Sequence, residues 1–274
     1  CVIYRKYPPG YAPAPHVPSP RKQLQAVVEG IYKGLREAQV AARRGTGADF
    51  YRWMLSFFNR PEGKLPGEVF DLYRYPGDSP YGLNGTPDDA PLWLDLAESV
   101  TLSRPTSHPD IGCWEFDGVL VRALTLQQLI EQPSIGLFTA ELDHGGRHFA
   151  RFDRLPPGSM LSMTIQMRPQ HLVRDHIERI DLASRAKVPE AQRTKEEAAR
   201  VLRRMADDDK LVPMFLTLYV AGSNTDELNG RVSDITAQFQ TAGLRFIQPN
   251  HDLTPLDAFV RGLPMCFDPY FDTR

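Results

Sequence analysis

The chain has 274 residues, 42% of them hydrophobic and 24% charged, which excludes wholesale disorder and a core that must be stapled by disulfides or metals. Lys and Arg number 32 against 34 Asp and Glu, so no global field draws the chain to nucleic acid. No run approaches the ~18 consecutive apolar residues of a spanning helix, and 24 prolines, about twice the usual share, imply long irregular connections.

The three cysteines, Cys1, Cys113 and Cys266, are odd in number and far apart, which predicts no disulfide framework and a reducing compartment. Cys1 followed by a proline-rich stretch fits a lipoprotein tethered through that residue. The preferred alternative is a piece of a longer protein, because Val2-Ile3-Tyr4-Arg5 look like the end of a strand.

Residues 8–20 hold six prolines and predict an extended arm. An amphipathic helix follows from Arg21 to Arg44, with Leu24, Val27, Val28, Ile31 and Leu35 at i, i+3, i+4, i+7 spacing. Gly30 and Gly34 lie one turn apart on it, and Gly45 and Gly47 are expected to end it. A second helix, Ala48 to Asn59, carries Phe50, Trp53, Met54, Phe57 and Phe58; such a stripe predicts core packing or docking. Residues 61–113 read as loop, least structured over 76–91. Charge is segregated: residues 1–45 hold eight basic and two acidic side chains, residues 62–118 three basic and eleven acidic. Two mutually attracting solvated faces explain this; the sharper alternative is a basic arm meeting an anionic membrane or partner.

From Trp114 the pattern predicts strands: Trp114 to Gly118, its return over Val119 to Leu124, then a short helix over Leu126 to Glu131. Leu137 to Leu142 and Arg147 to Phe152 predict strands joined at His144-Gly145-Gly146. Leu161, Met163, Ile165 and Met167 alternate as a strand with one buried face. Residues 170–210 predict a charged helical hairpin. Met214 to Val220 alternate as a strand. Asn224 and Glu227 predict a helix start, Leu228, Val232, Ile235 and Phe239 its buried face, and Gly243 its end. Leu244 to Gln248 then form a strand and Leu256 to Arg261 a helix. The fold class is α+β: a mixed or antiparallel sheet with ferredoxin-like split units packed by helices. The expected parts are 1–47 (arm and amphipathic helix), 48–113 (aromatic helix and acidic loop) and 114–274 (α+β domain).

Chemical motifs are sparse. Gly63-Lys64 is followed by Leu65, so no phosphate loop G-x-x-x-x-G-K-[ST] forms there. Asp143, His144 and His148 invite a metal-dependent, nuclease-like reading, but two glycines between the histidines break the helical i, i+4 geometry. His171 and His176 share no helix face cleanly. Asp207-Asp208-Asp209 lacks the glycine and distal Glu of a calcium loop. No catalytic, cofactor or metal residue is assigned. The partner-contact candidates are Trp53, Phe57, Phe58, Arg21 and Lys22.

Four segments read together resemble the amino-terminal region of the conjugative-transfer ATPases, the TraC-like energising ATPases of type IV secretion systems, especially those of integrative conjugative elements. They are Asp49-Phe-Tyr-Arg-Trp-Met-Leu-Ser-Phe-Phe-Asn59, Trp114-Glu-Phe-Asp-Gly118, Phe152-Asp-Arg-Leu-Pro-Pro-Gly158 with its following strand, and Phe215 through Leu263-Pro-Met-Cys-Phe-Asp268. The resemblance implies a non-catalytic assembly and docking domain, cytoplasmic and peripheral to the bacterial inner membrane. Its implied partners are inner-membrane components of the secretion system, the protein's own C-terminal ATPase domain and further copies in a homo-oligomer, with no direct nucleic acid. It also implies that ATP and Mg are bound only by a motor domain beyond this chain.

Overall fold

The structure is a computed structural model that describes residues 2–4, 14, 16–59, 100–101, 103–130, 136–144, 146–184 and 188–267. Cys1, most of the proline-rich arm and the expected loop over 76–91 lie outside the described residues. Six helices and eight strands are defined among the described residues, an α+β composition as the sequence predicts.

Helix α1 (Pro20–Glu37) starts with proline in its first turn, where no amide partner is missed. It ends seven residues before the predicted Arg44. Gln39 adopts a left-handed φ of 58°, and the Gln39 and Val40 amides donate back to the Arg36 and Leu35 carbonyls. This closure is usually made by glycine, which is why the glycines at 45 and 47 drew the prediction too far. Helix α2 (Gly47–Phe58) opens on a capping box between Thr46 and Asp49. The Thr46 amide donates to the Asp49 carboxylate at 2.8 Å and the Asp49 amide to the Thr46 hydroxyl at 3.2 Å.

The strands are β1 (Thr106–His108), β2 (Cys113–Phe116), β3 (Val119–Leu129), β4 (Leu142–His144), β5 (Arg147–Phe149), β6 (Met160–Ile165), β7 (Met214–Gly222) and β8 (Leu244–Phe246). The main sheet runs β1-β2-β3-β7-β6, with β8 also paired to β3, and β4-β5 form a separate ribbon. Every pairing with a defined register is antiparallel. Asp117 (φ 52°) and Gly118 (φ 80°) make the two-residue turn between β2 and β3, the Asp-Gly hairpin that right-handed strand twist favours. The predicted helix over Leu126 to Glu131 is instead the far half of β3: Leu126, Gln128 and Leu129 pair with Phe246, Arg245 and Leu244 across a register shift. Pairing with a strand more than a hundred residues away outweighed local helix propensity.

Helices α3 (Gln170–Ala183) and α4 (Pro189–Ala206) form the predicted hairpin, and α5 (Thr225–Thr241) and α6 (Pro255–Arg261) complete the helical set. The run β7–α5–β8 has both its strands paired to β3, the split arrangement that the alternating pattern predicts.

The chain divides into two compact units, each assembled from two stretches: residues 1–122 with 221–232, and 123–220 with 233–274. In the first, Tyr51, Met54, Leu55, Phe57 and Phe58 of α2 are buried, and Phe58 lies 5.4 Å from Phe116. Buried Asn59 donates its side-chain amide to the Leu55 and Val100 carbonyls, each at 2.8 Å. Asn59→Leu is expected to cost about 1–3 kcal/mol, because it leaves two carbonyls without that donor; equilibrium denaturation measures it. Arg122, 6% exposed, donates to the Asn229 side-chain oxygen at 2.8 Å and the Ile111 carbonyl at 2.7 Å, and burial pulls its pKa down.

In the second unit, Leu216 through Val220 of β7 are fully enclosed. Phe239 sits between Phe138 and Phe246, each 5.7 Å from it. From β7, Tyr219 donates its hydroxyl to the Phe259 carbonyl at 2.7 Å. At the base of the helical hairpin, the Gln170 side-chain amide brackets Leu211, accepting from its amide at 2.9 Å and donating to its carbonyl at 3.0 Å.

Candidate docking surfaces

None of the eighteen residues of helix α1 is buried. Its apolar stripe is in the open, with Val27 at 49%, Ile31 at 39% and Leu35 at 37% exposure. Arg21 and Lys22, two of the predicted contact residues, are exposed in its first turn, which carries no acidic side chain. The two acids of the helix are engaged: Glu29 accepts from Gln25 at 3.0 Å, and Glu37 pairs with Lys33 at 3.8 Å.

Helix α2 splits its aromatic stripe. Phe57 and Phe58 are buried in the core of the first unit, so of the predicted aromatic contacts only Trp53 presents much surface, at 39%. Trp53 stacks between Phe50 and Phe57 at 5.9 and 6.0 Å. Hydrogen bonds from the Thr46 amide, then from its hydroxyl and from the Arg43 guanidinium, hold the Asp49 carboxyl down to about 2. A carboxylate with a lowered folded pKa adds stability above its unfolded value near ~4 and loses it as pH falls through the folded value. Helicity at the start of α2 is therefore expected to fade between pH ~4 and about 2, and Asp49→Asn to abolish that transition; circular dichroism along an acid titration reads both.

The β4-β5 ribbon pairs Asp143 with His148 and His144 with Arg147. Because a strand alternates faces at every residue, positions 144 and 148 fall on opposite faces of the ribbon. Asp143 is occupied in the turn, accepting from the Gly146 amide at 3.0 Å. Among the described residues no group of three or more His, Cys, Asp or Glu is placed to hold a metal ion.

Cys113 is buried, and that burial pushes its thiol pKa up; Cys266 is exposed. Alkylation of the folded protein followed by peptide mapping is expected to label Cys266 and to reach Cys113 only after unfolding.

Strand β6 differs from its prediction. Met163 and Ile165 are 53% and 47% exposed, and Met167 just beyond is 82% exposed. The alternation is present, but β6 is the end strand of the sheet order, and the apolar set lies largely open. Sequence pattern locates such a strand without telling an edge from an interior position.

Among the described residues no helix is long and apolar enough to cross a membrane. The family model described as TraC protein matches residues 1–267. No curated protein and no solved structure matches the chain. With nearly its whole length inside that match, the chain belongs to the TraC family of type IV conjugative transfer.

Proposed function

We propose that this chain is a docking and assembly domain of a conjugative-transfer ATPase, peripheral to the inner membrane on its cytoplasmic side. It contacts inner-membrane components of the type IV apparatus and supports assembly of further copies, while ATP hydrolysis belongs to a motor domain elsewhere in the protein that carries it. Family membership supports the place in conjugative transfer. The observation that carries the docking role is α1, an amphipathic helix of eighteen residues without one buried. An exposed apolar stripe costs solvation in the free protein and is recovered when a partner covers it.

The test uses the whole protein in cells. Replacing Ile31 and Leu35 together by Asp is expected to lower transfer frequency roughly tenfold or more, the usual cost of losing interface anchors, at unchanged protein level. Unchanged transfer would sink the docking role of α1. The chain by itself is expected to show no saturable binding of Mg-ATP by calorimetry; saturable binding would overturn the non-catalytic reading.

A further inference from the structure

We propose that β6 pairs edge to edge with β6 of a second copy of this chain, antiparallel about a two-fold axis at Met163, so that one sheet runs on into the other. This rests on the assembly half of the reading above and names the strand that performs it.

The backbone supplies the first argument. The Gln166 amide donates to the Pro213 carbonyl at 2.9 Å, which continues the register of β6 on β7 by one residue. Hydrogen-bonded pairs alternate along an antiparallel ladder. The N–H and C=O groups of Met160, Ser162 and Thr164 therefore point to β7, and those of Leu161, Met163 and Ile165 point away from it. Among the described residues no strand takes up that outer edge. Such an edge is ordinarily blunted by lysine, proline, a bulge or shortness. At the other end of the sheet order, β1 is three residues long. Strand β6 has six residues in unbroken register with β7, and from Met160 to Met167 there is neither a charge nor a proline.

The side chains name the occupant. With Met163 opposite the second copy's Met163, Leu161 falls opposite the second copy's Ile165, and every outward backbone group finds a partner. Side chains directly opposite each other share a face. Leu161, Met163 and Ile165 of both copies thus meet on the face where Met163 and Ile165 are open to solvent. On the other face, where the Ser162 hydroxyl donates to the Gly262 carbonyl at 2.6 Å, Ser162 falls opposite Thr164. Because the strand is uncharged, no like charges confront each other across the axis, the usual obstacle when a surface meets its own copy. The pairing is isologous and closes at two copies. One six-residue edge buries less than the ~1,200–2,000 Å² of a stable interface, which makes the dimer weak, half formed at roughly 10–100 μM.

Sedimentation equilibrium of the full chain from ~1 to ~300 μM tests this, and a monomer–dimer equilibrium is expected. Met163→Lys and Met163→Glu, each at an exposed position, should each weaken the dimer roughly tenfold or more by setting like charges opposite each other, with the circular dichroism unchanged. Mixing the two variants should restore association, because opposite charges then face each other. That rescue requires position 163 to lie opposite its own copy, and a general loss of fold would not produce it. A chain that stays monomeric throughout overturns the inference, and so does failure of the mixture to recover. A dimer that Met163→Lys leaves intact overturns it too, while keeping self-assembly through another surface. A monomeric chain that saturably binds a synthetic peptide of residues 158–168 overturns it in favour of an extended segment of another protein. The docking role of α1 is decided separately, by the transfer frequency of the Ile31 and Leu35 double variant.

Discussion

Phe239→Ala is expected to destabilise the second unit by about 3–5 kcal/mol. The ring is 2% exposed and is held edge-on by Phe246 and at a tilt by Phe138. Removing it takes away transfer free energy and the aromatic contacts together, and leaves a void. The void cannot close easily, because Phe246 beside it and Ile235 one turn earlier on the helix are themselves fully buried and α5 is capped firmly at its start. There Asn224 accepts from the Glu227 amide at 2.9 Å, and the Glu227 carboxylate accepts from the Ser223 amide at 2.8 Å. Urea denaturation followed by circular dichroism measures the effect as a lowered midpoint at an unchanged slope. A loss under ~1 kcal/mol would mean that the core collapses around the gap and is not rigid.

Gly262→Ala is expected to cost about 2–3 kcal/mol, near the top of the usual range for overpacking. Gly262 sits at the C-terminal end of α6 with an ordinary helical φ of −73°, so conformation does not require glycine. Space does: a Cβ there would collide with the Tyr219 hydroxyl and lie 2.8 Å from both Cβ and Oγ1 of Thr217. Neither neighbour can yield. Tyr219 and Thr217 are both fully buried in β7, and the tyrosine hydroxyl is committed to the Phe259 carbonyl. The Gly262 carbonyl is also engaged, accepting from the Ser162 hydroxyl at 2.6 Å. Tyr219→Phe alone should cost about 1 kcal/mol for the lost hydrogen bond. The double variant should cost less than the sum, because the phenylalanine lacks the oxygen that the new methyl group meets. A strictly additive cycle would show that the two positions do not compete for the same space.

How legible each region was depends on whether its determinants are local. The run from β7 to β8 could be read because each signal acts within a few residues: alternation over Met214 to Val220, the Asn224 cap, a helical apolar face and Gly243. Each of the four predicted face residues, Leu228, Val232, Ile235 and Phe239, is buried. The far half of β3 reads as a helix in the sequence because its partner β8 is remote, and the i, i+3 spacing of Leu126 and Leu129 fits a helix as well as a bulged strand. The end of α1 was missed because Gln39 takes a left-handed conformation usually left to glycine. Among the candidate contact residues, Arg21, Lys22 and Trp53 are open to solvent, whereas Phe57 and Phe58 face the core. Helical periodicity places all three aromatics on one broad face, and only packing separates the edge of that face from its centre.

The first unit is built from residues 1–122 and a short return over 221–232. On the ribosome its second part emerges about a hundred residues after its first. At ~5–20 residues per second this is a delay of roughly 5–20 s, during which Arg122 waits for Asn229 and the unit lacks the buried Leu228 and Val232. In that interval only residues 123–220 of the second unit are made, and its β8 and α6 follow later. A nascent chain stalled before residue 221 would thus display an incomplete hydrophobic surface, the kind that chaperones hold, and no contiguous fragment of the gene encodes either unit alone.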